Sequence, residues 1–239
     1  MKIDERAIYG AQNNADLYEA VFDAHGLRHD KLPYAFVGQD CPPPYYSNLT
    51  ILAPNQTKAV VSELSKLAVR FNGTIGLKDS FCELQLEQNG FEKLFDASWI
   101  WLEPKLQEMP DGWKILSDHN ELAAWEACWK RNGSPTERRM FPEAILERQD
   151  VFFLGKKQGA GFVMGCIANV SNNCVGLSNV FAERPSAHAF SQATDAVGAF
   201  GNKRPIVGYE SGAELDFAIQ KGFTIVGDLR ILKAKNARF

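Results

Sequence analysis

Two stretches of the chain, Ser47–Leu102 and Val175–Leu232, repeat one order of apolar and polar positions. Each pattern predicts a strand, an amphipathic helix with apolar residues every three or four positions, a strand, a second helix and a last strand. The predicted strands are Asn48–Ala53, Thr74–Leu77 and Ala97–Leu102 in the first stretch and Val175–Ala182, Pro205–Tyr209 and Asp228–Lys233 in the second. Strands that alternate with helices indicate an α/β protein.

The second helix of each stretch is predicted to end at a glycine followed by phenylalanine, at Gly90-Phe91 and at Gly222-Phe223. Glycine adopts the left-handed conformation that commonly ends a helix, and the phenylalanine then returns the chain to the core. Because this detail repeats together with the order of elements, we expect a partial tandem duplication.

Further elements precede each copy. Before the second copy the pattern predicts a strand at Gly112–Ser117, a helix at Glu121–Lys130 and an antiparallel hairpin of Val151–Leu154 and Gly161–Val170. Before the first copy it predicts only a helix at Asn14–Ala24 and a strand at Pro33–Gly38. Prolines bound the segment Glu103–Pro110, so we expect two domains, a shortened one over residues 1–105 and a full one over residues 106–239.

Composition narrows the class of protein. Hydrophobic residues make up 45% and charged residues 23%, which is typical of a globular core, and the net charge of −3 argues against nucleic-acid binding. The five cysteines form no CxxC motif or Cys/His cluster, which favours a reducing compartment and no metal site. The N-terminus has no apolar signal-peptide core, and no apolar run approaches the ~20 residues of a membrane span. We expect a cytoplasmic protein without a membrane partner.

The order of elements after Pro110 resembles the GNAT superfamily of N-acetyltransferases. The most specific stretch is Arg204–Leu232, which looks like the strand, helix, Gly-Phe and final strand that close GNAT domains. The resemblance covers Pro110 to the C-terminus, and Tyr45–Leu102 as a partial second copy. It implies a GNAT-like acyl-CoA N-acyltransferase fold with a mixed sheet, in a tandem protein whose N-terminal copy is shortened.

The resemblance implies acetyl-CoA or another acyl-CoA as cofactor, with its pyrophosphate held by the loop and helix start at Phe181–His188. A helix N-terminus suits an anion because it offers unpaired N–H donors and the positive end of a dipole. The cofactor-binding residues implied are Phe181, Ala182, Arg184, Ser186, Ala187 and His188. The family's loop usually carries glycines; this one has none, and Pro185 removes one donor.

A second departure concerns the catalytic acid. Many GNAT enzymes place a tyrosine five residues before the phenylalanine of Gly-Phe, but Ala218 occupies that position here, and Leu86 does so in the first copy. Tyr209 and Glu210, at the end of the preceding strand, are the candidate acid and base.

Two functions remain open from the sequence. The first is a GNAT-type acyltransferase that moves an acetyl or other acyl group from acyl-CoA to an amine of a small molecule or peptide. The alternative is a catalytically inactive GNAT-like domain for ligand sensing or protein interaction. The family resemblance favours the first, whereas the altered loop and the missing tyrosine favour the second; a homodimer fits either.

Overall fold

In the described part of the chain, one mixed sheet of eleven strands carries helices on both faces. A computed structural model describes residues 3–105, 108–159, 161–171, 173–201 and 203–239. The strands are β1 (His29–Leu32), β2 (Ala35–Gly38), β3 (Leu49–Ile51), β4 (Ile75–Asp79), β5 (Phe91–Leu102), β6 (Trp113–Ile115), β7 (Val151–Gln158), β8 (Gly161–Val170), β9 (Val175–Ala182), β10 (Ile206–Glu210) and β11 (Thr224–Ala234). The helices are α1 (Glu5–Ala24), α2 (Thr57–Arg70), α3 (His119–Arg131), α4 (Ala187–Phe200) and α5 (Gly212–Lys221), with 3-10 turns at Glu87–Asn89 and Glu143–Glu147.

The two halves of the chain exchange their last strands within the sheet. Across the sheet the order is β1-β2-β3-β4-β11-β5-β10-β9-β8-β7-β6. Strands β3 and β4 are parallel, as are β9 and β10, and the other neighbours are antiparallel. β5, from the N-terminal half, pairs with β10, and β11, from the C-terminal half, pairs with β4. The two halves therefore complete one another's sheet.

Helices α1 and α4 cover opposite faces of the sheet. Gly176 of β9 faces Asn13 of α1: a Cβ atom there would lie 2.2 Å from the Asn13 Oδ1. Leu177, the next residue, therefore points to the other face, because side chains alternate along a strand. On that face it belongs to a buried core with Phe190 and Ala193 of α4.

Helix α1 ties the two halves together by reciprocal hydrogen bonds. The Asn13 Nδ2 donates to the backbone oxygen of Asn169 on β8 at 3.0 Å, and the Asn169 Nδ2 donates to the backbone oxygen of Asn13 at 2.7 Å. Both amides are buried, so losing either partner leaves an unsatisfied polar group. Gly10 lets the same helix approach the sheet, since a Cβ there would lie 2.9 Å from the Trp99 ring.

The mixed α/β fold class predicted from the sequence is confirmed, and the strands of both repeats are present with shifted ends. The helix predicted at Asn14–Ala24 begins earlier, at Glu5, and the strand predicted at Pro33–Gly38 is a hairpin of β1 and β2. Of the predicted domain boundary, Leu106 and Gln107 lie outside the described residues.

The second helix predicted in the first copy is wrong. Residues 80–86 are irregular, and only the 3-10 turn Glu87–Asn89 precedes Gly90, which is left-handed as expected. The buried Asp79 carboxylate accepts hydrogen bonds from the backbone N–H groups of Glu83 and Leu84, which holds the segment in a turn. Phe81 and Leu84 of this segment have the spacing of a helix, yet they are buried in the core from an irregular backbone. Tertiary packing here outweighs the local preference for a helix.

We expect Gly176→Ala to destabilise the protein by about 1–3 kcal/mol, the usual cost of overpacking a filled core. The added methyl would collide with Asn13 and Asn169, each with Oδ1 at 2.2 Å, and disturb their reciprocal hydrogen bonds. Urea unfolding followed by circular dichroism measures the loss. Gly161→Ala is the matched control, because its Cβ would meet only the Cys128 Sγ at 3.9 Å; equal losses in both variants would contradict the explanation.

Candidate active-site cleft

The parallel strands β9 and β10 separate towards their carboxyl ends. They pair only at Ile206–Val175 and Val207–Gly176. A cavity of about 240 Å³ lies at the divergence. Its walls come from α1, β5, β8, β9, β10, the start of α5 and the loop before β3; they include Asn13, Asn14, Tyr18, Tyr45, Tyr46, Trp99, Asn179, Val180, Tyr209, Glu210 and Glu214. Such a divergence is the place where open α/β sheets commonly bind ligands.

Strand β9 carries a bulge on the wall of this cavity. Ile167 of β8 is opposite Ser178, and Gly165 is opposite Phe181, so two residues of β9, Asn179 and Val180, face one of β8. Asn179 has a φ of 52°, in the left-handed region. A bulge interrupts the ladder and leaves backbone groups available for other partners, and both bulged residues line the cavity.

The two residues predicted as acid and base lie together on this cavity. Tyr209 packs edge-on against Trp99, with ring centroids 5.5 Å apart. Glu210 is the next residue, so the two side chains leave β10 on opposite faces and border the cleft from its two sides. Burial, followed by the charge of Glu214, raises the pKa of Glu210 to about 8. Burial raises the pKa of Tyr209 well above its ordinary value, so the phenol keeps its proton at neutral pH.

A buried lysine lies behind these residues. Lys78 of β4 is fully buried, and its Nζ donates to the Asn14 Oδ1 at 2.5 Å. The same nitrogen lies 4.2 Å from the ring centroid of Tyr209 and 4.8 Å from that of Tyr18. Burial lowers the pKa of Lys78 to about 7, because the ammonium form loses its hydration.

Sequence reasoning missed the part of the site that comes from the N-terminal half. Lys78 precedes Asp79 at the end of the short strand Ile75–Asp79, so the sequence alone suggests an ordinary exposed charge. Asn14 and Tyr18, four residues apart, share one face of α1, for which the sequence predicts a helix but no part in a site. Tyr45 and Tyr46 follow the proline run Pro42–Pro44, and both line the cavity.

The six predicted cofactor residues lie beyond the cavity, where β9 leads into α4. Phe181 and Ala182 are buried, with the Phe181 ring 5.0 Å from that of Trp125, so only their backbone can face a ligand. Arg184, Ser186 and His188 are exposed.

Ser186 caps α4 by accepting a hydrogen bond from the Ala189 N–H. The N–H groups of Ala187 and His188, in the first turn of α4, have no acceptor within the part of the chain that is described.

The corresponding loop of the N-terminal half is closed by the chain itself. The backbone N–H of Asn55, just before α2, donates to a Glu83 carboxylate oxygen at 2.7 Å. In the same segment the buried Asp79 carboxylate accepts a hydrogen bond from the Arg230 Nε at 3.0 Å. An anion approaching the start of α2 would meet the carboxylate of Glu83, so the site at β9 and β10 is the better candidate.

The described residues also bear on metal binding and on membrane insertion. Within the described ranges, no three His, Cys, Asp or Glu side chains are grouped to hold a metal ion. The helices found there are all too short or too polar to cross a membrane.

We expect Lys78→Met to change how stability depends on pH. The folded pKa of about 7 is below the ordinary lysine pKa of 10.5, so between these pH values the unfolded chain binds more protons. The wild-type free energy of unfolding therefore gains a rising contribution of up to about 1.4 kcal/mol per pH unit above pH 7. Urea titrations from pH 7 to 9 should show a smaller slope for the variant; equal slopes would mean that Lys78 keeps an ordinary pKa.

The fold has many relatives among solved structures, although the sequence matches no family model and is not significantly similar to any curated protein. A GCN5-related N-acetyltransferase from Kribbella flavida matches with a TM-score of 0.63 at 11% identity, over 95% of each chain. A GCN5-related N-acetyltransferase from Sphaerobacter thermophilus matches with a TM-score of 0.54 at 13% identity, over 97% of this chain and 91% of that one.

Saccharomyces cerevisiae N-myristoyltransferase, in crystals with bound myristoyl-CoA and inhibitors, matches with a TM-score of 0.55 at 11% identity. That match covers 100% of this chain and 80% of the other. These likenesses extend over nearly the whole chain and include both halves of the sheet. The chain has the fold of the GNAT superfamily of N-acetyltransferases.

Proposed function

We propose that the protein is a GNAT-type N-acyltransferase that moves an acetyl or other acyl group from acyl-CoA to an amine of a small molecule or peptide. The observation that carries the proposal is the cleft between β9 and β10, where Glu210, with a pKa of about 8, and the protonated phenol of Tyr209 border one cavity. A general base works best when its pKa is near the working pH.

The residues at the start of α4 fit the pyrophosphate of acyl-CoA. The N–H groups of Ala187 and His188 point out of the first turn without a protein acceptor among the described residues, and a helix N-terminus attracts an anion. Arg184 is exposed beside them and offsets the charge of Glu183. Ala182 and Ala187 have small side chains. The phosphates can therefore approach the backbone closely although the loop has no glycine.

Each step of the transfer has a residue in the cleft. Bound acyl-CoA supplies the thioester carbonyl carbon that the amine attacks. Glu210 takes the proton of the attacking amine, and the bulge at Asn179 and Val180 offers backbone N–H groups to the carbonyl oxygen as it gains charge. Tyr209 donates its proton to the departing sulfur. In many GNAT enzymes this role belongs to a tyrosine at the position that Ala218 occupies here.

We further propose that residues 1–105 and 106–239 are two GNAT-like domains that arose by duplication. Both contain a parallel strand pair joined by a helix, β3-α2-β4 and β9-α4-β10, and each gives its last strand to the other. In this proposal the N-terminal copy lost its own cofactor site when Glu83 and the segment after Asp79 filled it. It now contributes Lys78 and α1 to the remaining site.

We expect Arg184→Ala to weaken acetyl-CoA binding roughly tenfold to a hundredfold, the usual worth of one charge-assisted hydrogen bond. Isothermal titration calorimetry with acetyl-CoA and with coenzyme A measures the affinity directly. Tyr209→Phe is the matched control: it should bind acetyl-CoA like the wild type while turnover falls. Unchanged affinity in Arg184→Ala would remove this residue from the site, and tight binding without turnover of any amine would favour a sensing domain.

We expect the rate to follow the ionisation of Glu210. Because the carboxylate form is the base, kcat/KM should rise with pH up to about 8 and then level off. Glu210→Gln should lower kcat by ~10²–10⁴-fold and remove this limb from the pH profile. Glu214→Gln should keep the limb but move it to lower pH, because a repelling charge is lost. A limb that persists in Glu210→Gln would assign the base to another group.

A further inference from the structure

A second cavity, of about 620 Å³, adjoins the cleft. The two cavities share four tyrosine walls, Tyr18, Tyr45, Tyr46 and Tyr209. The second extends away from β9, over the beginning of β4 and β5 and the end of β11, beneath the loop that precedes β3. Its other walls include Pro42, Pro44, Leu94, Phe95, Ile231 and Lys233. This volume suits the body of a small organic molecule.

The walls of this second cavity are mostly apolar and, among the described residues, carry no carboxylate. Proline, aromatic and aliphatic side chains make most of the surface, and Lys233 is the one charged residue that borders it among the described residues. The carboxylates of Glu210 and Glu214 lie instead in the first cavity. A ligand with positive charge along its body would therefore find no partner here, whereas an apolar body would be desolvated well.

The sheet and one hydrogen bond hold the walls of the cavity in place. The sheet register sets Ile231 of β11 opposite Phe95 of β5, which fixes the floor. Tyr45, at a φ of 68°, donates from its hydroxyl to the backbone oxygen of Pro135 at 2.8 Å, which fixes the rim. A preformed cavity costs little ordering entropy when it binds a ligand.

The cavity also has its own opening to solvent. Leu94 and Phe95 line it and are 55% and 43% exposed, and Tyr45 on the rim is 56% exposed. Direct acyl transfer requires donor and acceptor in place together. If acyl-CoA fills the divergence of β9 and β10, the acceptor needs a separate entrance that ends at Tyr209 and Glu210, and this cavity provides one.

We propose that this cavity binds the apolar body of the acceptor, an alkyl or arylalkyl primary amine whose amino group reaches Glu210 past the four shared tyrosines. The role of this ligand as the acyl acceptor rests on the proposed acyl transfer, whereas the position of its binding site rests on the cavity alone. It excludes polyamines and other acceptors with a second cationic group, because the cavity walls offer such a group no carboxylate. It also assigns a specificity role to Phe95 and Ile231, which touch substrate but take no part in the proton transfers.

The test compares 2-phenylethylamine with ethylamine and spermidine at a fixed, saturating concentration of acetyl-CoA. We expect a KM for 2-phenylethylamine at least tenfold below that for ethylamine. Phe95→Asp should raise the KM for 2-phenylethylamine about tenfold or more and leave that for ethylamine unchanged, since only the aryl group meets the wall. Ile219→Asp, on an equally exposed apolar residue of α5 away from the cavity, is the matched control and should change neither.

Three outcomes separate the alternatives. A preference for spermidine, or the same effect from Phe95→Asp and Ile219→Asp, overturns the assignment of the cavity to the acceptor. In either case turnover itself supports the proposed acyl transfer. If Phe95→Asp instead impairs octanoyl-CoA relative to acetyl-CoA with ethylamine as acceptor, the cavity holds the acyl chain and the assignment is wrong. If no amine is acylated but calorimetry detects 2-phenylethylamine binding that Phe95→Asp abolishes, the cavity assignment stands and the proposed function fails.

Discussion

The insertion of β5 between β11 and β10 is the constraint on which the cleft depends. β10 is held by β9 through only two residue pairs, so most of its backbone must pair on the other side. β5 supplies that partner along the whole of β10, from Ile206–Leu102 to Glu210–Ser98. The separation of β9 from β10 is therefore stable because the N-terminal half supports the strand that carries Tyr209 and Glu210. An isolated pair of parallel strands would close or fray at this point.

The buried lysine shows what this arrangement costs. Taking an ammonium group out of water costs several kcal/mol, and the cation–π contacts with Tyr18 and Tyr209, each worth about 2 kcal/mol, and the hydrogen bond to Asn14 offset part of that cost. The neutral amine is thus close in free energy to the cation at neutral pH, in agreement with the lowered pKa. The wall behind Tyr209 therefore carries its positive charge in only part of the molecules at neutral pH, which weakens the repulsion of an incoming cationic amine at that end of the cleft.

Local patterns predicted the elements better than their partners. Apolar periodicity located the strands of both repeats, and Tyr209 and Glu210, predicted at the end of a strand as acid and base, line the cleft. The exchange of β5 and β11 could not be predicted, because the period of an apolar strand does not say which strand it pairs with. Lys78 was missed for the same reason: its burial is produced by α1 and β10, which lie 64 and 131 residues away in sequence at Asn14 and Tyr209. The helix predicted before Gly90 failed because tertiary packing of Phe81 and Leu84 outweighed local propensity.

The exchanged strands also govern the order in which the chain can reach its native state. When synthesis has passed residue 105, β4 still lacks β11 and β5 lacks both of its neighbours, so the nascent N-terminal half presents unpaired strand edges. Those edges are satisfied only when β10 and β11, at the far end of the sequence, emerge from the ribosome. Pairings this distant in sequence make folding slow and leave the partial chain prone to aggregation. A chain truncated before β11 would keep β4 and β5 without their shared neighbour, so its strand edges would stay unpaired.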